Sequence, residues 1–86
     1  MEYTDKMQHR IKRIEGQLRG ILRMMENNEE CKDVTTQLSA TRSAIDRVIG
    51  VVVSANLIDC MERSEDDSAA NQDLVEEAVK LLVKSR

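Results

Sequence analysis

The stretch KMQHRIKRIEGQLRGILRMM, residues 6–25, decides the fold. Within it Met7, Ile11, Ile14, Leu18, Ile21 and Met25 recur at spacings of 4, 3, 4, 3 and 4. That stepping keeps the apolar side chains on one face of an α-helix for about five turns. It predicts a first helix over residues 5–26. Asn27-Asn28-Glu29-Glu30 interrupts the pattern and reads as a short turn. A second stripe follows in Val34, Leu38, Thr41, Ile45, Val48, Val52 and Ala55, stepping 4, 3, 4, 3, 4 and 3. It predicts a long second helix over residues 31–64. The β-branched run at 48–53 would suit a strand on propensity alone, but the heptad stepping passes through it, so the helix reading stands. The run is apolar on all sides, which implies more than one packing neighbour. Glu65-Asp66-Asp67-Ser68 is the next break, with Asp67 or Ser68 as the N-cap. Leu74, Val75, Ala78, Leu81 and Leu82 then mark a short third helix ending near Lys84. The expectation is an all-α fold with three helices per chain, in a single domain over residues 1–86.

Composition narrows the function. The 86 residues carry 13 Lys and Arg against 16 Asp and Glu, one His, one Tyr, and no Phe, Trp or Pro. No apolar run approaches the roughly 20 residues that span a bilayer, so no membrane partner is expected. The start MEYTDKMQHR is polar and mixed in charge, unlike a secretory signal, and points to the cytoplasm. A single Tyr, with no Phe or Trp, makes no stacking platform for single-stranded nucleic acid. A single His argues against most zinc enzymes and acid–base triads, and no glycine-rich phosphate loop occurs. A chain this short buries little core alone, so oligomerisation is the economical way to cover its apolar surface.

Charge is unevenly distributed. Residues 1–25 hold six Lys and Arg against three acids, whereas residues 26–86 hold seven against thirteen. On a helical wheel Arg10, Arg13 and Gln17 fall on one flank of the first helix, and Lys12, Arg19 and Arg23 on the other. Such a face is either simply solvated or a phosphate-binding surface on an otherwise acidic protein. No helix-turn-helix or zinc-finger spacing accompanies it.

Cys31 and Cys60 are the most informative residues. They stand 29 residues apart at the two ends of the second helix. Along one straight helix that is about 43 Å, far beyond the roughly 7 Å a disulfide tolerates. Yet 29 steps return to nearly the same face. A second copy packed antiparallel would bring Cys31 of one chain near Cys60 of the other, twice per dimer. The plain alternative is two small buried apolar residues. Without a signal peptide, a cysteine pair points to a reducing compartment and to a redox or metal role. Asn56 stands one turn before Cys60. A His there would complete a two-sulfur, one-nitrogen site for Cu(I); a carboxamide is a poor ligand. His9 sits among the basic residues of the first helix. Sulfur-to-sulfur chemistry is therefore favoured, with no cofactor or metal required. The helix N-terminus favours a Cys31 thiolate, and the acids Glu29, Glu30 and Asp33 oppose it.

The stretch Arg10-Ile11-Lys12-Arg13-Ile14-Glu15-Gly16-Gln17-Leu18-Arg19-Gly20 resembles the signature of the CsoR/RcnR family of bacterial repressors. So do Cys31 opening the second helix and Cys60 near its end, and the likeness runs through Ala78-Val79-Lys80-Leu81-Leu82-Val83-Lys84. The chain departs from the copper sensors at Asn56, where they carry a His, and lacks the His residues of the nickel and cobalt sensors. Two cysteines without that His resemble the persulfide-sensing, CstR-type branch.

The resemblance implies an antiparallel four-helix-bundle dimer that assembles as a dimer of dimers. It implies a repressor, not an enzyme, that binds operator double-stranded DNA when reduced. Per- or polysulfides would then join Cys31 and Cys60 of facing subunits through a di-, tri- or tetrasulfide and release the DNA. Arg10 and Arg47 match family positions linked to DNA; with Arg13 and Lys12 they form the expected DNA-binding set. Gly16 and Gly20 lie off the apolar stripe; plain family packing is the first reading of them, and close approach of a helix or DNA the second. Three other readings compete: a Cu(I)-responsive repressor using the two thiolates without the His, a small thiol enzyme, and a plain helical scaffold. The enzyme reading suffers because nothing supplies a general base near either cysteine.

Overall fold

The structure is a computed structural model that describes residues 2–63 and 68–84. It contains α1 (Asp5–Glu26), α2 (Cys31–Arg63) and α3 (Ser68–Lys84), with no strand among the described residues. The β-branched run is helical throughout: α2 passes through residues 48–53 unbroken. Within one chain only Val48 of the run is buried and Val51 is exposed, so the helix follows the 4–3 stepping and not the β preference of Val and Ile. Ser68 is the first residue of α3; Asp67, the other expected cap, lies outside the described residues.

Both ends of α1 have a local cause. Thr4 is extended (φ −65°, ψ 159°), and its hydroxyl accepts the Met7 N–H at 3.2 Å. This satisfies one of the N–H groups a helix start leaves unpaired. At the other end Asn28 adopts φ 53°, a left-handed conformation that Asn tolerates better than most residues. The Asn28 N–H bonds the Met25 carbonyl at 3.1 Å, and the Glu29 N–H bonds the Met24 carbonyl at 3.0 Å. That pair of backward bonds is a Schellman closure, with Asn in the place glycine usually takes. The Glu30 carbonyl then accepts the Asp33 and Val34 N–H groups at 3.0 and 3.1 Å, starting α2. Cys31 is thereby fixed in the first turn of α2.

The chain divides into two compact units. In the unit Thr4–Val48, α1 and the first half of α2 form a hairpin. Residues 10–17 of α1 share a groove with residues 44–48 of α2, so the two helices run antiparallel. The other unit holds Ile49–Arg86 with Met1–Tyr3. There the second half of α2 packs on α3, with Val53, Leu57, Leu74 and Leu81 around the buried Ala78.

The apolar stripe of α1 is split into two rows. Met7, Ile14 and Ile21 are buried, at 8%, 6% and 4% exposure. Ile11, Leu18 and Met25 are about half exposed, at 50%, 44% and 50%. On α2 the same division separates buried Thr41 and Val48 from exposed Leu38 and Ile45. Thr41 takes a core position because its hydroxyl donates to the Gln37 carbonyl at 2.9 Å, so no polar atom is left unpaired. One chain closes one row of each stripe and leaves the other open.

Candidate functional site

Two places carry chemistry. The first is the flank of the α1–α2 hairpin. Arg10, Arg13 and Gln17, at helical spacings on α1, meet Ala44, Arg47 and Val48 of α2 around a groove of about 140 Å³. All three guanidinium-bearing residues are exposed. Buried Ile14 and Val48 form the floor, so the arginines stand on packed backbone and not on a loop. Three fixed cations beside a neutral Gln offer bidentate donors to phosphate oxygens.

Lys12 is not part of this groove. It lines a concavity on the other flank of α1 with Gln8, Ile11, Glu15 and Leu18, and that concavity shares only Ile14 with the arginine groove. Arg19 lies beyond it and pairs with Glu15 at 3.8 Å. Sequence reading missed Lys6. With Asp5 and His9 it borders a further concavity that also contains Arg10 and Arg13. Its signal was present as the spacing 6, 9, 10, 13, which is one helical face. Gly16 has nothing within 4 Å of where a Cβ would stand, and Gly20 only the Arg23 guanidinium at 4.0 Å, so no described part of the chain needs either residue to be small.

The second place is the thiols. Within one chain Cys31 is exposed and Cys60 is half-buried. Cys31 Sγ lies 3.8 Å from Thr35 Oγ1, and Cys60 Sγ donates to Asn56 Oδ1 at 3.9 Å. Both are long, weak contacts to neutral groups one helical turn away. Around Cys60 the walls are Val53, Leu57, Leu74, Ala78 and Leu81, with Glu77 as the charged member. The apolar spacing of α3 marks Leu74, Ala78 and Leu81, but nothing in the sequence sets them or Glu77 beside Cys60, because that depends on how α3 packs on α2.

The donor set is poor for a metal held within one chain. Among the described residues no three His, Cys, Asp or Glu side chains gather to hold an ion. Asn56 presents an amide oxygen to the thiol where a borderline-soft imidazole would be needed. Among the described residues no helix is long and apolar enough to cross a membrane.

The chain is similar to known transcriptional regulators that respond to metals. A family model described as a metal-sensitive transcriptional repressor matches residues 3–84. The chain is 52% identical over 63 residues to the uncharacterized protein YrkD of Bacillus subtilis, covering 73% of this chain and 100% of that one. It is 39% identical over 72 residues to the copper-sensing transcriptional repressor RicR of Mycobacterium tuberculosis, covering 84% and 75%. The solved structure of the nickel-responsive transcriptional regulator InrS superimposes with a TM-score of 0.77 at 28% identity, covering 99% of this chain and 94% of that one. The chain belongs to the metal-sensitive transcriptional repressors of the CsoR/RcnR type, regulators and not enzymes.

Proposed function

We propose that this repressor answers to per- and polysulfides. In the reduced state it binds operator DNA through Arg10, Arg13 and Arg47. It lets go when Cys31 of one subunit is joined to Cys60 of the facing subunit. The carrying observation is the Asn56 amide against the Cys60 thiol, which leaves two accessible sulfurs and no imidazole.

The chemistry uses the thiolate as nucleophile. One cysteine attacks a sulfane sulfur, the adjacent S–S bond of the polysulfide breaks, and the shortened sulfide leaves with the electron pair. The facing thiolate then attacks the protein-bound sulfur of that persulfide and expels hydrosulfide, giving a disulfide. Attack by a second persulfide in place of a thiol gives a trisulfide. In each case two electrons pass from the cysteines to sulfane sulfur, so the effector is itself the oxidant.

An antiparallel dimer supplies the facing subunit. The open row Ile11, Leu18 and Met25 of α1, with Leu38 and Ile45 of α2, is the apolar surface such a dimer would bury. A dimer of dimers would cover part of α3, where Val75, Val79 and Val83 are exposed. The bridge would tie the ends of α2 to the partner and shift α1 against α2, spoiling the joint fit of Arg10 and Arg47 to phosphates. A coupling of about 1.4 kcal/mol already weakens DNA binding tenfold. A reducing compartment such as the cytoplasm is required for the resting thiols.

The copper-sensing relatives favour one other reading, Cu(I) held by the two thiolates. Anaerobic treatment with inorganic polysulfide, read by intact mass and by loss of DNA binding, tests the sulfur reading. A parallel Cu(I) titration tests the other. Cys31→Ser is expected to form no cross-link and to stay on DNA. If that variant leaves DNA with an unchanged polysulfide dose response, the sulfur sensor is refuted. Release by stoichiometric Cu(I) alone would replace it with the metal reading.

A further inference from the structure

The arginine groove continues past Arg10 toward the start of α1. Arg10 and Arg13 share one concavity with Gln17 and Arg47 and the adjoining one with Asp5, Lys6 and His9. Lys6, His9, Arg10, Arg13 and Arg47 therefore make one basic strip on a protein whose net charge is −3. From Lys6 to Gln17 it runs about 16 Å along the helix, long enough to face several successive phosphates of a duplex. His9 is the one member of the strip whose type changes charge between about pH 5 and 8.

Resting on the DNA-binding reading above, we infer that Lys6 and His9 extend the DNA contact toward the start of α1, and that DNA is bound with uptake of a proton at His9. The charged groups around His9 are Asp5, Lys6, Arg10 and Arg13 on its own helix, with Arg47 reaching the adjoining groove from α2. A phosphate brought beside an imidazole favours the charged ring. The complex thus holds more protons than its separated parts, and by linkage its stability rises as pH falls. Lys6 contributes a fixed charge and no pH dependence in this range. The strip consequently has a constant part, set by Lys6 and the arginines, and a tunable part, set by His9.

The test uses the reduced full-length protein and the duplex it selects from a random-sequence pool, with a mixed-sequence duplex as second probe. Affinity is read by fluorescence anisotropy from about pH 6 to about pH 8. Wild type is expected to gain up to roughly tenfold more affinity over that span than His9→Gln, within the tenfold per pH unit that uptake of one proton allows. His9→Lys should bind at least as tightly as wild type at low pH, with the shallow pH profile of His9→Gln. Lys6→Ala should weaken binding at every pH and lower the salt slope. Circular dichroism checks that the exposed substitutions leave the helices intact. Parallel pH profiles for wild type and His9→Gln, with the selected duplex still tightly bound, overturn the His9 assignment alone. Failure to select any duplex overturns the DNA-binding reading itself.

Discussion

Arg47→Ala isolates the contribution of α2 to the groove. Arg47 is exposed and shares the groove with Arg10 and Arg13, while the floor is made by Ile14 and Val48. Removing it deletes no core contact, and Ala is the stronger helix former, so folding stability should move by less than about 0.5 kcal/mol. A charge-assisted hydrogen bond to phosphate is worth about 1.5–3 kcal/mol. At 1.4 kcal/mol per decade, one lost contact weakens binding roughly 10- to 150-fold. Each lost phosphate contact should also lower the slope of log affinity against log salt by about 0.9. Anisotropy titrations at four or more salt concentrations read both quantities. Lys12→Ala serves as the contrast. Lys12 lies on the other flank of α1, apart from the groove, and its loss should change affinity by less than about 0.5 kcal/mol. Wild-type affinity with an unchanged salt slope in Arg47→Ala, or a larger loss in Lys12→Ala than in Arg47→Ala, would place the DNA contact on the Lys12 flank and refute the groove.

The other expectations concern packing. Ile14 is 6% exposed, so Ile14→Ala should cost about 2–5 kcal/mol, read as a lowered urea midpoint; a shift under about 1 kcal/mol would mean the site is not part of a packed core. Leu18→Glu adds a charge to the open row and not the buried one, and should abolish assembly in sedimentation while far-UV circular dichroism stays helical; a dimer of undiminished affinity would move the interface elsewhere. Gly16 faces open space within the chain, so Gly16→Ala should stabilise α1 by about 0.5–1 kcal/mol. Loss of DNA binding or of assembly in that variant, despite a stiffer helix, would reveal a close approach made only in the complex.

Helix positions were readable because they depend on neighbours three and four residues away. The 4–3 stepping located α1 and α2 to within a residue of Asp5–Glu26 and Cys31–Arg63, and it carried the helix through 48–53 against β propensity. The caps were less legible. Thr4 acts through one hydroxyl bond, and the turn depends on the left-handed backbone of Asn28, although Asn27-Asn28 correctly marked the break. What the stripe could not show was its division. Ile11 and Ile14 are chemically identical and both fit the apolar pattern, yet only Ile14 is buried. Which row closes within the hairpin depends on how α1 rotates against α2, a property of the pair. The same limit hid Lys6: a wheel for one helix sets Lys12 apart from Arg10 and Arg13 but does not say which flank α2 will meet.

The split stripe bears on how the thiols could meet. A helix that buried its whole apolar face within one chain would have little reason to seek a partner, and Cys31 and Cys60 would remain separate thiols. Here one chain buries Met7, Ile14, Ile21, Thr41 and Val48 and leaves Ile11, Leu18, Met25, Leu38 and Ile45 exposed. Covering those five with a second copy would supply the hydrophobic driving force for association. An antiparallel copy would place Cys31 against Cys60, because the two residues share nearly one phase at opposite ends of a single helix. The sulfur bridge then needs no dedicated pocket on either subunit. It needs only that the open row be satisfied by the same symmetry that brings the helix ends together. Replacing the row with polar residues should therefore abolish polysulfide cross-linking even with both cysteines intact. Full cross-linking in an all-monomer Leu18→Glu protein would show that the thiols meet by some other route.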